Sequence, residues 1–272
     1  MKRRKIIKLG SCSLITLSSC SSRNKKGNKK SLGGSDPAKV GANPHYQTPG
    51  YAQPGMRNPN MNLPSQFGAS AISYSSGVKT TPYVAMTFDD GPHPQNTPRL
   101  LDMLRARNIR ATFFVIGNNV DRYPHIARRI VAEGHEIGNH TYTHRKLTTL
   151  DDREVIKELE KTEQSIIKAT GVKPRTMRPP YGALSPRQRQ LVYSNLHYPT
   201  ILWSVDPQDW KRPGPSVVTS RILSKTESGS IILAHDLHAP TVDAMPQTFD
   251  GILSKGFQFI TVSQMIAQKN QV

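Results

Sequence analysis

The chain has 272 residues and a formal net charge of +18 at pH 7, enough length for a folded domain of about 200 residues with a sizeable core. The charge is lopsided: residues 1–40 hold eleven Lys and Arg against the single acid Asp36. A basic terminal segment, where a nucleic-acid binder would concentrate charge on a folded face, argues against nucleic acid as a partner; a mildly basic body is instead drawn to an anionic cell envelope.

The first residues read as an export signal. Residues 1–8 are basic, residues 9–17 are mostly apolar or small, and Leu17-Ser18-Ser19-Cys20 follows. The apolar run is too short to span a bilayer as a permanent helix. Leu-Ser-Ser-Cys resembles a bacterial lipobox, which makes residues 1–19 the signal and Cys20 the lipidated first residue of the mature protein. Acyl chains on Cys20 would then anchor the protein at a membrane of the cell envelope; the alternative is an ordinary cleaved signal and a secreted protein. Cleavage there removes Cys12 and leaves no disulfide framework or cysteine-based site in the folded part.

Residues 20–80 read as a disordered tether, rich in Pro, Ser, Gly, Asn and Lys. Pro44, Pro49, Pro54, Pro59 and Pro64 recur every five residues, but their neighbours do not repeat, which favours a stiffened linker over a binding repeat. As a coil, such a segment would reach roughly 40 Å.

From residue 81 to residue 268 the pattern becomes that of a folded domain. Residues 84–88 form an apolar strand, and residues 97–107 a helix with Leu100, Leu101 and Leu104 on one face. A strand at 111–116, a helix at 124–133 ending at Gly134, and a short strand at 135–138 follow. Residues 151–170 form a long helix with Asp151 at its start and Gly171 at its end. Strands are expected at 176–178, 200–204, 230–234 and 257–260, and helices at 186–193, 216–225, 241–254 and 262–268. About seven strands alternating with helices imply an α/β fold with a parallel sheet, either a barrel or a doubly wound sheet. Polar residues cluster just after the strands, where α/β barrels put their chemistry.

His140 and His144 are four residues apart, so a helix or tight turn sets both imidazoles on one side, as a divalent metal requires. The zincin pattern needs Glu after the first His; Thr141 stands there, so that protease reading lacks its base. Asp89-Asp90 ends a strand before Gly91-Pro92. Adjacent carboxylates repel unless a cation sits between them, so a metal could take one and leave the other as a base. Two histidines and a carboxylate suit a hydrolytic metal and also a non-haem iron oxygenase.

Taken in order, Thr87-Phe88-Asp89-Asp90-Gly91-Pro92, His140-Thr141-Tyr142-Thr143-His144, Arg178-Pro179-Pro180-Tyr181-Gly182, Asp206-Pro207-Gln208-Asp209-Trp210 and Leu233-Ala234-His235 resemble the five motifs of the NodB-type polysaccharide deacetylases, carbohydrate esterase family 4. The likeness runs from about residue 82 to 266. It implies a distorted, incomplete (β/α) barrel. It also implies a metal, usually zinc with cobalt or nickel as alternatives, on Asp90, His140 and His144. Asp89 would be the general base held by Arg178, and His235 the general acid tuned by Asp209. Tyr181 would offer its backbone N–H to the oxyanion, while Trp210 and Leu233 would line the acetyl pocket. Asp206 matches without an assigned role, and His93, His135, His197 and His238 are read as core or surface histidines.

The chemistry suits those roles independently: an amide needs its carbonyl polarised, its water deprotonated and its leaving nitrogen protonated. The anchor and tether point to peptidoglycan as the polysaccharide partner, with no obligate protein partner evident. Chitin oligosaccharides, exported poly-N-acetylglucosamine and acetyl xylan are alternatives within the family. A non-catalytic wall-binding lipoprotein and a metallopeptidase acting on stem peptides are readings of other classes.

Overall fold

A computed structural model describes residues 72–271. The expected signal, Cys20 and most of the expected tether lie outside the described residues. The ordered body starts earlier than residue 81: Ser73–Tyr74 form a strand, β1, and Tyr74 is buried. The composition of residues 72–80 is linker-like, but Tyr74 packs into the core with Ala85, Phe114 and Ile201, and that burial draws the segment into the fold.

The central strand is β2 (Tyr83–Asp89), buried at every position but its first. Such a continuous apolar run is what a parallel strand covered on both faces requires. The chain continues through α1 (Asn96–Ala106), β3 (Thr112–Val115), α2 (Gly117–Arg122), α3 (Pro124–Ala132), β4 (Glu136–Asn139) and α4 (Asp152–Thr170). Then come α5 (Pro186–Leu196), β5 (Thr200–Ile201), α6 (Pro215–Lys225), β6 (Ile231–His235), α7 (Ala239–Ser254), β7 (Gln258–Phe259) and α8 (Val262–Lys269). One expected helix at 124–133 is preceded by a separate short one, α2, whose polar sequence Gly-Asn-Asn gave no apolar periodicity to read.

All named strand pairs are parallel. β4, β3, β2 and β6 lie side by side, β7 pairs with the start of β2, and β1 pairs with β5. The strand expected at 176–178 is reduced to Met177, which bridges Asn139 at the end of β4 and Thr200 in β5; Val205 bridges Ile232 in β6. Pro179 and Pro180 follow directly and can donate no ladder hydrogen bonds, so no longer strand forms there.

Alternation along β2 sorts its side chains. Val84, Met86 and Phe88 join the larger core beneath helices α1, α3 and α7. Ala85 points the other way, into a second core with Ile231, Phe114, Ile201 and the α8 residues Val262, Met265 and Ile266. The same period of two puts Thr87 and Asp89 on the side of Ala85, so the last inward position of the strand is an acid. Burying a large apolar side chain contributes about 1.5–3 kcal/mol, and this pattern makes the register of β2 costly to shift.

The helix ends follow local chemistry. Asp151 accepts from the Glu154 N–H while the Glu154 side chain accepts from the Asp151 N–H, a complete capping box at the start of α4. Gly171 ends that helix at φ 74°, a left-handed conformation that costs glycine little.

Candidate active site

Asp89 closes β2 and is almost fully buried. Its Oδ1 accepts a 2.8 Å hydrogen bond from Arg178 Nη1. Arg178, itself inaccessible to solvent, also donates to Thr87 Oγ1 at 2.7 Å, to the Leu202 carbonyl at 3.0 Å and to the Ile201 carbonyl at 3.3 Å. Its guanidinium lies 4.3 Å from the centroid of the Phe114 ring. Burial lowers the Arg178 pKa and the Asp89 charge opposes that; an arginine stays charged through such a shift. The pairing fixes Asp89 in one orientation.

Asp90 follows at φ 74°, and both carboxylates approach the same imidazole, with Asp89 Oδ2 at 3.8 Å from His140 Nε2. Asn119 Nδ2 donates to the Asp90 carbonyl at 2.9 Å, and the Ile116 N–H to that of Gly91 at 2.9 Å. These bonds pin the turn to the end of β3. Asp90 Oδ1 lies 3.2 Å from His144 Nε2 and 3.4 Å from His140 Nε2.

The two histidines occupy a tight turn, one of the two geometries the spacing allowed. Thr141 and His144 have φ values of 66° and 60°. Asn139 Oδ1 accepts from the Thr141 N–H at 2.9 Å, and Thr141 Oγ1 from the His144 N–H at 3.1 Å. From α4, Glu158 accepts from the N–H groups of Tyr142 and Thr143 and from the Thr143 hydroxyl, at 3.0, 2.8 and 2.8 Å. Glu158 escaped the sequence reading because nothing in a helical repeat marks which exposed acid faces a loop.

Asp90, His140 and His144 each offer one ligand atom, all within 4.8 Å of one another. The fit to a cation rests on two further features. Asp90 Oδ1 is buried with no hydrogen-bond partner among the described residues. His140 Nδ1–H donates to the Arg178 carbonyl at 2.7 Å, which leaves Nε2 with its lone pair toward Asp90, as a ligating imidazole needs. Burial would raise the Asp90 pKa, but the two imidazoles hold it well below the usual carboxylate range.

Across the same end of the sheet, His235 closes β6. Its Nδ1–H donates to Asp209 Oδ1 at 2.9 Å, and its backbone N–H to Asp209 Oδ2 at 2.8 Å. The Thr241 hydroxyl also donates to Oδ2, at 2.9 Å. Burial disfavours the imidazolium, but the Asp209 hydrogen bond and the negative charges of Asp209, Asp89 and Asp90 push the pKa up to about 9. The Nδ1 bond to Asp209 favours the imidazolium and leaves Nε2 free of that partner.

Tyr181 has φ 61° and is exposed, its ring edge-on to His144 at 4.9 Å between centroids. Trp210 is half exposed beside Asp209, and Leu233 is buried two residues before His235. Six non-glycine residues with left-handed backbone lie in these loops: Asp90, Thr141, His144, Tyr181, Gln208 and Arg212. The remaining two, Asn108 and His197, sit at the ends of helices α1 and α5. Strain of this kind concentrates where function over-determines geometry.

The residues without an assigned role can now be placed. Asp206 Oδ1 accepts from the Gln208 N–H at 2.7 Å and shapes the turn that delivers Asp209. His93 Nδ1 accepts from the Gln95 and Asn96 N–H groups at the start of α1. His135 is a core histidine, held neutral by burial and the nearby Arg110 and Arg129 at a pKa of about 3. His197 ends α5 and His238 precedes α7. A second residue missed in the sequence is Asp236, wholly buried directly behind His235; an acid following a strand-end histidine was its only mark.

Parallel strands that bring Asp89, His235 and the candidate cation site of Asp90, His140 and His144 to their carboxyl ends fit a hydrolase-type α/β scaffold. A family model described as polysaccharide deacetylase matches residues 76–200, and the chain belongs to that family. It is 38% identical over 194 residues to the peptidoglycan-N-acetylglucosamine deacetylase PgdA of Listeria monocytogenes, covering 71% of this chain and 41% of that protein. It is 38% identical over 204 residues to a chitooligosaccharide deacetylase of Bradyrhizobium, covering 69% of this chain and 92% of the relative. The solved structure of the peptidoglycan deacetylase PdaC from Bacillus subtilis superposes with a TM-score of 0.66 at 36% identity, covering 72% of this chain and 93% of that one. The chain thus spans about four tenths of the length of the Listeria relative.

Proposed function

We propose that this protein hydrolyses the acetamido group of N-acetylglucosamine units in a cell-wall polysaccharide, peptidoglycan above the alternatives, releasing acetate and a free amine. The observation that carries the reading is the paired arrangement at the strand ends: Asp89 hydrogen-bonded to Arg178, and His235 to Asp209, beside a candidate three-ligand cation site. Asp90, His140 and His144 would hold a divalent cation, zinc by the chemistry of two imidazoles and a carboxylate. Bound there, it would polarise the acetyl carbonyl and lower the pKa of a water.

The remaining steps belong to the protein. Asp89 Oδ2, the oxygen not taken by Arg178, accepts the proton of the attacking water. The Tyr181 N–H, projected by its left-handed backbone, donates to the developing oxyanion, a contribution of about 3 kcal/mol in comparable sites. His235 Nε2 delivers its proton to the departing nitrogen, and Asp209 stabilises the imidazolium until then. Trp210 and Leu233 bound the acetyl methyl group.

We read the strand arrangement as a distorted, incomplete barrel. The bridges at Met177 and Val205 support this, as does the shared inner core of β1, β2, β3, β5 and β6. The lipobox-like Leu17-Ser18-Ser19-Cys20 supports a lipoprotein held at the envelope, a reading that favours the cell wall as substrate over soluble chitin oligosaccharides. Acetate release from purified peptidoglycan, with and without chelator and with Asp89→Asn alongside, tests the function. Loss in both perturbed cases supports it; no acetate from peptidoglycan but release from chitin oligosaccharides would move the substrate assignment.

A further inference from the structure

Asp236 is a carboxyl that the proposed chemistry does not use. It is wholly inaccessible to solvent and lies immediately after His235. Its Oδ2 accepts from the Thr97 hydroxyl, and Thr97 Oγ1 in turn accepts from the His93 N–H at 2.7 Å. Its Oδ1 is buried and meets no hydrogen-bond partner among the described residues. Both oxygens press on Gly91: a Cβ placed there would stand 2.5 Å from Oδ2 and 2.7 Å from Oδ1. Next to it, Asn96 Nδ2 donates to the Leu237 carbonyl at 3.0 Å.

Two segments far apart in sequence are therefore clamped together here. One is Asp89-Asp90-Gly91-Pro92-His93, which carries the base and a metal ligand. The other is His235-Asp236-Leu237, which carries the acid. Their backbones already run side by side in β2 and β6, with Asp89 opposite His235, but the ladder ends at that pair. Beyond it the Asp236 carboxyl lies against Gly91 and accepts from Thr97 at the start of α1, whose hydroxyl holds the His93 N–H, while Asn96 beside it bonds Leu237. A misplacement of about 1 Å between reacting groups costs on the order of 100-fold in rate.

We propose that Asp236 is a positioning residue that seats the Asp90-Gly91 turn and so fixes the metal ligand Asp90 and the base Asp89 relative to the acid His235. Glycine at position 91 is the complement of that carboxyl, because no side chain fits against it. The inference rests on the deacetylase reading for its effect on turnover and is independent of it for its effect on metal binding.

The test compares Asp236→Ala, Asp236→Asn and Thr97→Val with wild type by zinc calorimetry and by acetate-release kinetics. For Asp236→Ala the expected outcome is a loss of about 10- to 100-fold in zinc affinity and in kcat, the usual range for groups that orient metal ligands, with KM little changed. Asp236→Asn keeps the shape and the acceptor for Thr97 and is expected to restore most of both. A folded Asp236→Ala with wild-type zinc affinity and kcat overturns the proposal, as does an Asn variant no better than Ala. If Asp236→Ala does not fold, Thr97→Val decides: unchanged zinc affinity and kcat there overturn it. A wild-type protein that releases no acetate from any glycan removes the deacetylase reading alone, since the zinc affinities still judge Asp236.

Discussion

Asp89 and His235 are register partners, facing each other across the parallel strands β2 and β6 at the last residue of each. Adjacent strands lie about 4.8 Å apart, so the proposed base and acid are carried by neighbouring backbones while their supports come from elsewhere, Arg178 for one and Asp209 for the other. The separation of roles is electrostatic. A guanidinium hydrogen-bonds one group, and a carboxylate accepts from the imidazole of the other.

Removing the acceptor alone should therefore abolish turnover without emptying the cation site. Asp89→Asn is expected to lower kcat by about 100- to 10,000-fold, the usual range for a general base, while zinc titration still saturates at one ion. Loss of zinc binding in that variant would mean that Asp89 is a ligand and not the base.

The pH dependence follows from His235. Its folded pKa of about 9 lies above the ordinary value of 6.5. The stability it contributes is fully present below pH 6.5 and is lost as pH rises through about 9. As a proton donor it is active in the same protonated form, so the rate falls on the alkaline side. Asp209→Asn withdraws the largest force raising that pKa, and the alkaline limb should move to lower pH. An NMR titration of His235 in metal-free protein, wild type against Asp209→Asn, checks the shift directly; an unmoved midpoint would remove Asp209 from the role.

Metal loading should stabilise the fold, because the three ligands come from the ends of β2 and β4 and their converged geometry exists only in the native state. Zinc at 100 times its dissociation constant should add about 2.7 kcal/mol, read as a rise in the thermal midpoint that chelator reverses. Asp90→Ala and His140→Ala should both abolish that rise.

Arg178→Met tests the buried cation. Breaking such a pair costs about 3–5 kcal/mol when the partner charge stays buried, here on Asp89. Chemical denaturation should show the loss, and the double variant Asp89→Asn with Arg178→Met should recover part of it. If the single and double variants are equally unstable, the packing of Arg178 on Phe114 matters more than its charge.

Glu158→Ala should loosen the His140–His144 turn by removing three hydrogen bonds at once. Zinc affinity is expected to fall by about 10-fold, as for other supports of metal ligands, with little change in global stability because Glu158 is only partly buried and its carboxylate bonds the loop alone. Unchanged affinity would show that Asn139 and the Thr141 hydroxyl suffice to hold the turn.

Much of this was legible along the chain because it is local. An apolar run of five residues names β2, the Asp151 and Gly171 signals bound α4, and a strand-end acid pair or a spaced histidine pair names the candidate ligands without any fold. What local signals could not carry was mutual position. Residues 72–80 have the composition of a linker, and the packing of Tyr74 against Ala85, Phe114 and Ile201 draws them into the body. Spacing allowed His140 and His144 a helix or a turn; Asn139 and Glu158, the latter from a different element, selected the turn. Asp236 and Glu158 carry no pattern of their own, since a carboxyl acquires its role from what it touches. The sequence by itself determined which residue types were present at the strand ends. The tertiary structure decided which of them face one another, because a hydrogen bond of 2.8 Å depends on distances that no spacing along the chain encodes.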